Sequence, residues 1–199
     1  MARNLIEGRA ALLVIDIQKS TFIDDSDERS IPNMPGFKDR MLACRPLVDS
    51  AHDAGLPVIF IQEIHRADGI DFGRELDGSE TEHCLDSDPG TAIAFEEMGY
   101  KAGDYVIPKR RYSSFFGTDL EILLKGVKAE TLILCGALTD VCVHYTFVDA
   151  HQHDYFVRVV EDGVAGSTIA AHDASLTAME YLQTGAVTTV ADVCAAIGK

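Results

Sequence analysis

The sequence predicts a single α/β domain, residues 1–199, built on a parallel sheet. Short apolar runs alternate with longer stretches of helical pattern. Most of the runs are apolar at nearly every position, as strands covered on both faces must be. The length of 199 residues suits one large domain. A domain of this size buries roughly 70% of the surface its unfolded chain exposes, so it needs no disulfide framework or structural metal to hold together.

The elements follow in order. "AALLVIDI" (10–17) is short and carries Asp16 near its end, so it reads as a strand and not as a signal peptide or membrane span. "GFKDRMLACRPLVDSAHDAG" (36–55) has a helical pattern, and Pro46 predicts a kink or break inside it. "PVIFIQ" (57–62) and "DYVIPK" (104–109) are the next strands, and "GTDLEILLKGVK" (117–128) the next helical stretch. The fourth strand, "TLILCG" (131–136), leads into the helical "TDVCVHYTFVDAHQHD" (139–154). "YFVRVVE" (155–161), the helical "STIAAHDASLTAMEYLQTG" (167–185) and "AVTTV" (186–190) complete the series. Gly55, Gly126 and Gly185 are the predicted helix stops, where glycine adopts the left-handed conformation. One region breaks the rhythm: 63–90 is long, polar and rich in glycine and charge. Loops of that length in compact domains are functional or disordered.

Composition excludes several partners. Thirty-two acidic residues against seventeen basic ones give a net charge of −15. Nucleic acid and anionic membranes, which are bound by clustered Lys and Arg, are therefore not expected partners. The five cysteines (Cys44, Cys84, Cys135, Cys142, Cys194) form an odd set with no CxxC. That argues for a reducing, cytoplasmic setting and against a disulfide scaffold or zinc ribbon.

Three strand ends carry reactive groups. Asp16 closes the first run, Lys109 follows "YVIP", and Cys142 opens the helix after "LILCGALTD". In a parallel sheet all three lie at the carboxyl edge, where open α/β sheets bind ligands. Buried charges cost several kcal/mol unless partnered, so charges this close to a core need a partner or a task. Each has a plain structural role when taken singly: a packing cysteine, a capping aspartate, a solvated lysine beside Arg110 and Arg111. Together they fit nucleophilic catalysis. A helix N-terminus and an ammonium favour the thiolate. Asp16 takes the thiol proton and returns it to a leaving amine. Lys109 holds Asp16 ionised, and backbone N–H groups of the turn face a developing oxyanion, at roughly 3–4 kcal/mol per donor.

"LLVIDIQKSTF" (12–22), "VIPKRRYSSFFGTDL" (106–120) and "LCGALTDVCVHYTFVDA" (134–150), in that order, resemble the isochorismatase-like cysteine hydrolases. That family includes nicotinamidases, N-carbamoylsarcosine amidase and ureidoacrylate amidohydrolases. The resemblance covers nearly the whole chain. It implies a Rossmann-like, six-stranded parallel sheet with helices on both faces, and Asp16, Lys109 and Cys142 as the catalytic Asp, Lys and Cys. It further implies a cis peptide between Ala137 and Leu138, with the N–H groups of Leu138 and Cys142 forming the oxyanion hole, and a homodimer or homotetramer. The cysteine favours amide hydrolysis over cleavage of an enol ether. Nicotinamidases place an Asp-x-His metal motif after the second strand; here "IQEIHR" carries His65 without that aspartate. Leu138 stands where the family has a small residue, which narrows the pocket.

Substrate-side candidates complete the expectation. Phe22 falls where the family places an aromatic pocket wall, and a core role is equally open. Tyr112 and Phe115 either line the site or pack the segment before the next helix. Glu63 and His65 either contact substrate or orient the loop. Arg66 and Arg74 either anchor a substrate carboxylate as bidentate forks or form local ion pairs with Asp68, Asp71, Glu75 and Asp77. Among the seven histidines no ligand set stands in register, so no metal is expected, and His172 reads as a helix-surface or interface residue. The expected activity is cofactor-free hydrolysis of a small carboxamide or N-carbamoyl (ureido) compound through a thioester. The alternatives are a metal-dependent nicotinamidase with ligands around His65 and His83, and a redox-sensing thiol at Cys142.

Overall fold

The computed structural model describes residues 4–23 and 31–197. Its sheet has six strands: β1 (Ala10–Ile15), β2 (Val58–Glu63), β3 (Tyr105–Lys109), β4 (Thr131–Ala137), β5 (Phe156–Ala165) and β6 (Val187–Thr188). They run in the order β3-β2-β1-β4-β5-β6, and every pairing is parallel. All six residues of β1 are buried, which is why that run is apolar throughout. Successive side chains point to opposite faces. Ala10, Leu12 and Val14 join one core, and Ala11, Leu13 and Ile15 join the other.

Helices cover both faces. On the first lie α1 (Phe37–Leu42) and α2 (Arg45–Asp53), which pack Met41, Leu47, Val48 and Ala51 into the core. The predicted break is present, with Pro46 in the first turn of α2, where its missing N–H is harmless. A short α3 (Phe95–Met98) precedes β3. On the second face lie α4 (Leu120–Val127), α5 (His144–Gln152) and α6 (Ile169–Leu182), supplying Leu120, Leu124, Phe147, Ala150, Leu176 and Met179. On the first face also lies α7 (Val190–Ile197). Among the described residues no helix is long and apolar enough to cross a membrane.

Three expectations need correction. Gly126 does not stop α4; the helix runs through it, and Lys128 takes the left-handed conformation at φ 58°. The sixth strand is only two residues long, because the chain turns into the unanticipated α7 at Val190. Thr189 starts that helix by accepting from the Asp192 N–H at 3.1 Å. His172 is buried, and its Nδ1 lies 2.9 Å from the Thr139 hydroxyl.

The strand order reverses between β1 and β4, and a crevice opens beyond their carboxyl ends. Ile15 pairs with Gly136 there. Gly136 has φ 114°, and a Cβ on it would stand 1.9 Å from the Ile15 carbonyl oxygen. Only glycine lets β4 pass so close to β1 and then turn away. The 63–90 loop is ordered over the same edge. The His65 N–H donates to the Cys84 carbonyl at 2.7 Å, and the Asp86 N–H donates to the His65 carbonyl at 2.8 Å.

Candidate active site

Four strand ends bring Asp16, Glu63, Lys109 and Cys142 together. Asp16 follows β1 at φ 52°, a turn out of the strand that presents its carboxylate to the crevice. Glu63 and Lys109 close β2 and β3, paired in register. Cys142 lies in the π-helical turn Thr139–Val143 that joins β4 to α5, just after a cis Ala137–Leu138 peptide. A cavity of about 690 Å³ opens above them, with Asp16, Glu63, Ala137, Leu138 and Cys142 in its lining.

Lys109 is the centre of the arrangement. Its Nζ lies 2.8 Å from Asp16 Oδ2, 2.5 Å from Glu63 Oε2 and 3.4 Å from Cys142 Sγ. The thiol donates to Glu63 Oε2 at 3.2 Å and is also hydrogen-bonded to Asp16. Asp16 Oδ1 accepts from the Glu63 N–H at 2.7 Å, which fixes the carboxylate's orientation. Asp16, Glu63 and Cys142 each offer an atom within 4.8 Å of the others, but the cation among them is the lysine's own.

Burial and charge set the protonation states. Burial raises Asp16 to about 6 against the pull of Lys109, with Glu63 adding to the rise. At pH 7 Asp16 is therefore still about nine-tenths ionised. Burial would raise Glu63 too, but Lys109, His65 and His83 hold it well below the usual carboxylate range. Burial opposes the charge on Lys109, and the surrounding Asp16, Cys142 and Glu63 outweigh it. Burial pushes the Cys142 thiol well above its usual value; Lys109 opposes this, and Glu63 and Asp16 reinforce it. Lys109 thus favours the thiolate as expected, but burial first, and then the two carboxylates, outweigh it.

The remaining candidates divide. Tyr112 lines the cavity and donates its hydroxyl to Glu80 at 2.9 Å. Phe22 packs against the first core beneath the Lys38 ammonium, 5.9 Å from the ring centroid. Phe115 stacks on His153 at 5.2 Å between centroids. Neither phenylalanine is among the cavity's lining residues. Arg66 and Arg74 are exposed, away from the cavity, in local ion pairs with Asp71 at 2.9 Å and Asp77 at 2.5 Å.

Sequence reading missed two features. Gln18 is buried, and its side-chain amide donates to the Glu63 carbonyl at 2.8 Å and the Thr91 carbonyl at 2.6 Å, tying three segments together. Its signal was its place two residues after Asp16. The second feature is a buried cluster of Glu63, His65, Glu75 and His83, whose ligand-type atoms all lie within 4.8 Å of one another. Glu75 is not the solvated partner of an arginine; it turns inward, with Oε2 3.1 Å from His65 Nε2. Burial pulls His65 down, but Glu63 and Glu75 hold it at about 9. Against the expectation of no ligand set, these four residues have the chemistry to hold a divalent ion. Glu75 Oε1 has no hydrogen bond among the described residues, while Oε2 is ion-paired to His65.

Comparison with known proteins follows the same lines. The sequence matches the isochorismatase domain family over residues 10–192. It is 30% identical over 177 residues to a probable inactive nicotinamidase of Arabidopsis thaliana, covering 86% of this chain and 88% of that protein. It is also 30% identical over 177 residues to the ureidoacrylate amidohydrolase RutB of Yersinia enterocolitica, covering 77% and 74%. A solved cysteine hydrolase from Pseudomonas syringae pv. phaseolicola 1448A has a TM-score of 0.84 at 28% identity, over 100% of this chain and 99% of that one.

Proposed function

The chain belongs to the isochorismatase family of hydrolases, and from that premise we propose that it is a cysteine-dependent amidohydrolase. Its substrate is a small carboxamide or N-carbamoyl (ureido) compound, cleaved at a non-peptide C–N bond with release of ammonia or an amine. One observation carries this reading: Cys142 Sγ stands in the cavity wall, in contact with one ammonium and two carboxylates. The relationship to an enzyme named for ureidoacrylate supports the ureido class.

In the proposed reaction Asp16 is the base. Its pKa of about 6 leaves it ionised at neutral pH yet able to accept the thiol proton. Glu63, held much lower, stays charged and anchors Lys109. As Sγ bonds to the carbonyl carbon, its proton passes to Asp16, and the oxygen takes the negative charge. The Leu138 and Cys142 N–H groups receive that oxyanion. The C–N bond then breaks, the amine leaves with the Asp16 proton, and a thioester remains. Water, deprotonated by Asp16, attacks the thioester, and the thiol recovers its proton as the acid departs. From a carbamoyl group that acid is carbamic acid, which decays to CO₂ and ammonia.

A divalent ion would be held by Glu63, His65, Glu75 and His83, where it would add positive charge beside Glu63; no step above passes through it. The redox-sensor alternative is opposed by the site, because a sensor thiol needs a low pKa and Cys142 has a raised one. The homodimer or homotetramer and the cytoplasmic setting belong to the proposal, and light scattering of the purified protein tests the former.

The deciding experiment measures ammonia release from nicotinamide, aliphatic amides, N-carbamoyl amino acids, biuret and ureidoacrylate-like compounds. Wild type and Cys142→Ala run side by side. Turnover of one class, lost by about ten-thousandfold or more in the variant, is expected. Ammonia release retained in Cys142→Ala would sink the nucleophile assignment.

A further inference from the structure

We propose that His172 is a positioning residue for the hydrolysis. By holding the Thr139 hydroxyl it sets the turn that presents Cys142 and the N–H groups of the proposed oxyanion hole. This deepens the amidase reading of Cys142 and rests on it.

The turn hangs on its first link. The Val141 and Val143 N–H groups, on either side of Cys142, both donate to the Leu138 carbonyl at 3.1 Å. The placement of Cys142 therefore follows the placement of the Leu138–Thr139 link. Thr139 opens the turn and is fully buried. Its Oγ1 lies 2.9 Å from His172 Nδ1, and His172 is buried on α6. A buried hydroxyl left without a partner is costly, so this bond fixes the Thr139 side chain and, with it, the start of the turn. Burial and then the Arg40 charge hold His172 below the usual histidine range, against Asp173, Asp140 and Glu161. The ring is therefore uncharged at neutral pH and makes an ordinary hydrogen bond.

The segment that leads from β5 into α6 braces the turn a second time. The Ser167 N–H donates to Asp140 Oδ1 at 2.8 Å, and the Ser167 hydroxyl donates to Asp140 Oδ2 at 2.5 Å. At Gly166 a Cβ would stand 2.6 Å from Asp140 Oδ1 and 3.0 Å from His172 Cβ, so only glycine admits so close an approach. The Gly166 carbonyl also accepts from the Met34 N–H at 2.9 Å, and Met34 lines the cavity. Residues 166–172 thus tie the turn to the cavity wall.

His172 is not among the cavity's lining residues, so it acts through Thr139 and touches no reacting atom. Oxyanion donors work only at about 2.7–3.1 Å from the charge that develops, and a misplacement of about 1 Å can cost about a hundredfold in rate. Attack of the thiol on an alkyl halide develops no oxyanion and needs no such donors. A loosened turn should therefore lower kcat far more than it changes KM or alkylation.

The test uses whichever amide of the panel the wild-type protein turns over. His172→Ala is expected to lower kcat by about tenfold to a hundredfold, with KM and the rate of Cys142 alkylation by iodoacetamide within about threefold. His172→Asn, whose amide places a polar atom near the position of Nδ1, should recover kcat to within about threefold of wild type. Leu176→Ala, a buried change on the same helix, should lower the melting temperature by about 5 °C or more and leave kcat within about twofold. If His172→Ala does not fold, Thr139→Val takes its place, since it removes the hydroxyl and keeps the shape. An unchanged kcat in the variant that folds overturns the proposal. So does a loss shared equally by kcat and alkylation, or one that His172→Asn does not recover. Wild type that releases no ammonia from any compound overturns the amidase reading and this inference with it, whereas an active wild type with an indifferent His172→Ala overturns this inference alone.

Discussion

Two buried clusters share one glutamate, and they solve the same electrostatic problem differently. Around Cys142, two carboxylates are neutralised by a cation covalently part of the chain, Lys109, at 2.8 and 2.5 Å. Around Glu75, two carboxylates meet two imidazoles, groups that change charge with a proton or a metal. In the first cluster the lysine keeps its charge, because the surrounding Asp16, Cys142 and Glu63 outweigh the cost of its burial. The second depends on imidazole protons, which Glu63 and Glu75 hold on His65 against the pull of burial. A permanent cation keeps the two carboxylates beside Cys142 in place, and the paired imidazoles fasten the loop to the end of β2.

Removing the permanent cation should have the largest effect. Lys109→Met leaves Asp16 and Glu63 buried side by side without compensation, and a loss of about 3–5 kcal/mol in a urea titration is expected. A loss below about 1 kcal/mol would show that Lys109 is not the keystone of its cluster. Asp16→Asn comes next. With Glu63 still in place beside the thiol, a fall in kcat/KM of about a hundredfold to ten-thousandfold identifies Asp16 as the base. An unchanged rate would pass that role to Glu63.

A pH profile sharpens the contrast further. As the proposed base, Asp16 must be ionised, so activity should fall as pH drops through about 6, by about tenfold per unit below it. Stability should not follow. The fold holds the Asp16 proton more tightly than the unfolded chain does, so that group favours folding as pH falls through 6. Glu63, held well below the usual 4.5, contributes stability that is lost only as pH falls below that value. At pH 5 the protein should give a native circular dichroism spectrum and about a tenth of its activity. The smallest effect is expected outside both clusters. Arg74→Ala should alter KM by less than about twofold, since its partner is Asp77 at an exposed site. A tenfold rise would return Arg74 to the substrate.

Periodicity made the sheet legible, because strands buried on both faces leave little room for polar residues. Asp16, Lys109 and Cys142 were legible for a related reason: each interrupts or terminates an apolar run at the same edge. The second cluster was not. Glu75 and His83 sit in a polar loop where acids and histidines are unremarkable, and only the fold turns them inward. The raised pKa of the thiol was equally hidden, since it comes first from the burial of Cys142 and then from Glu63 and Asp16 beside Sγ. Gly126 and Lys128 mark the limit of helix-stop rules. Glycine is favoured in the left-handed conformation, but a lysine at the right place can adopt it.

The position of Glu63 bears on how this scaffold can be re-engineered. Because one of its oxygens belongs to the loop's anchorage and the other to the surroundings of Cys142, the 63–90 segment is not an interchangeable lid. A loop grafted from another hydrolase without equivalents of Glu75 and His83 would release Oε1. The carboxylate would then be free to swing, and Lys109 and Cys142 would lose a fixed neighbour. Changes of specificity by loop exchange should therefore succeed when those two residues travel with the graft, and otherwise lower turnover even on substrates that fit.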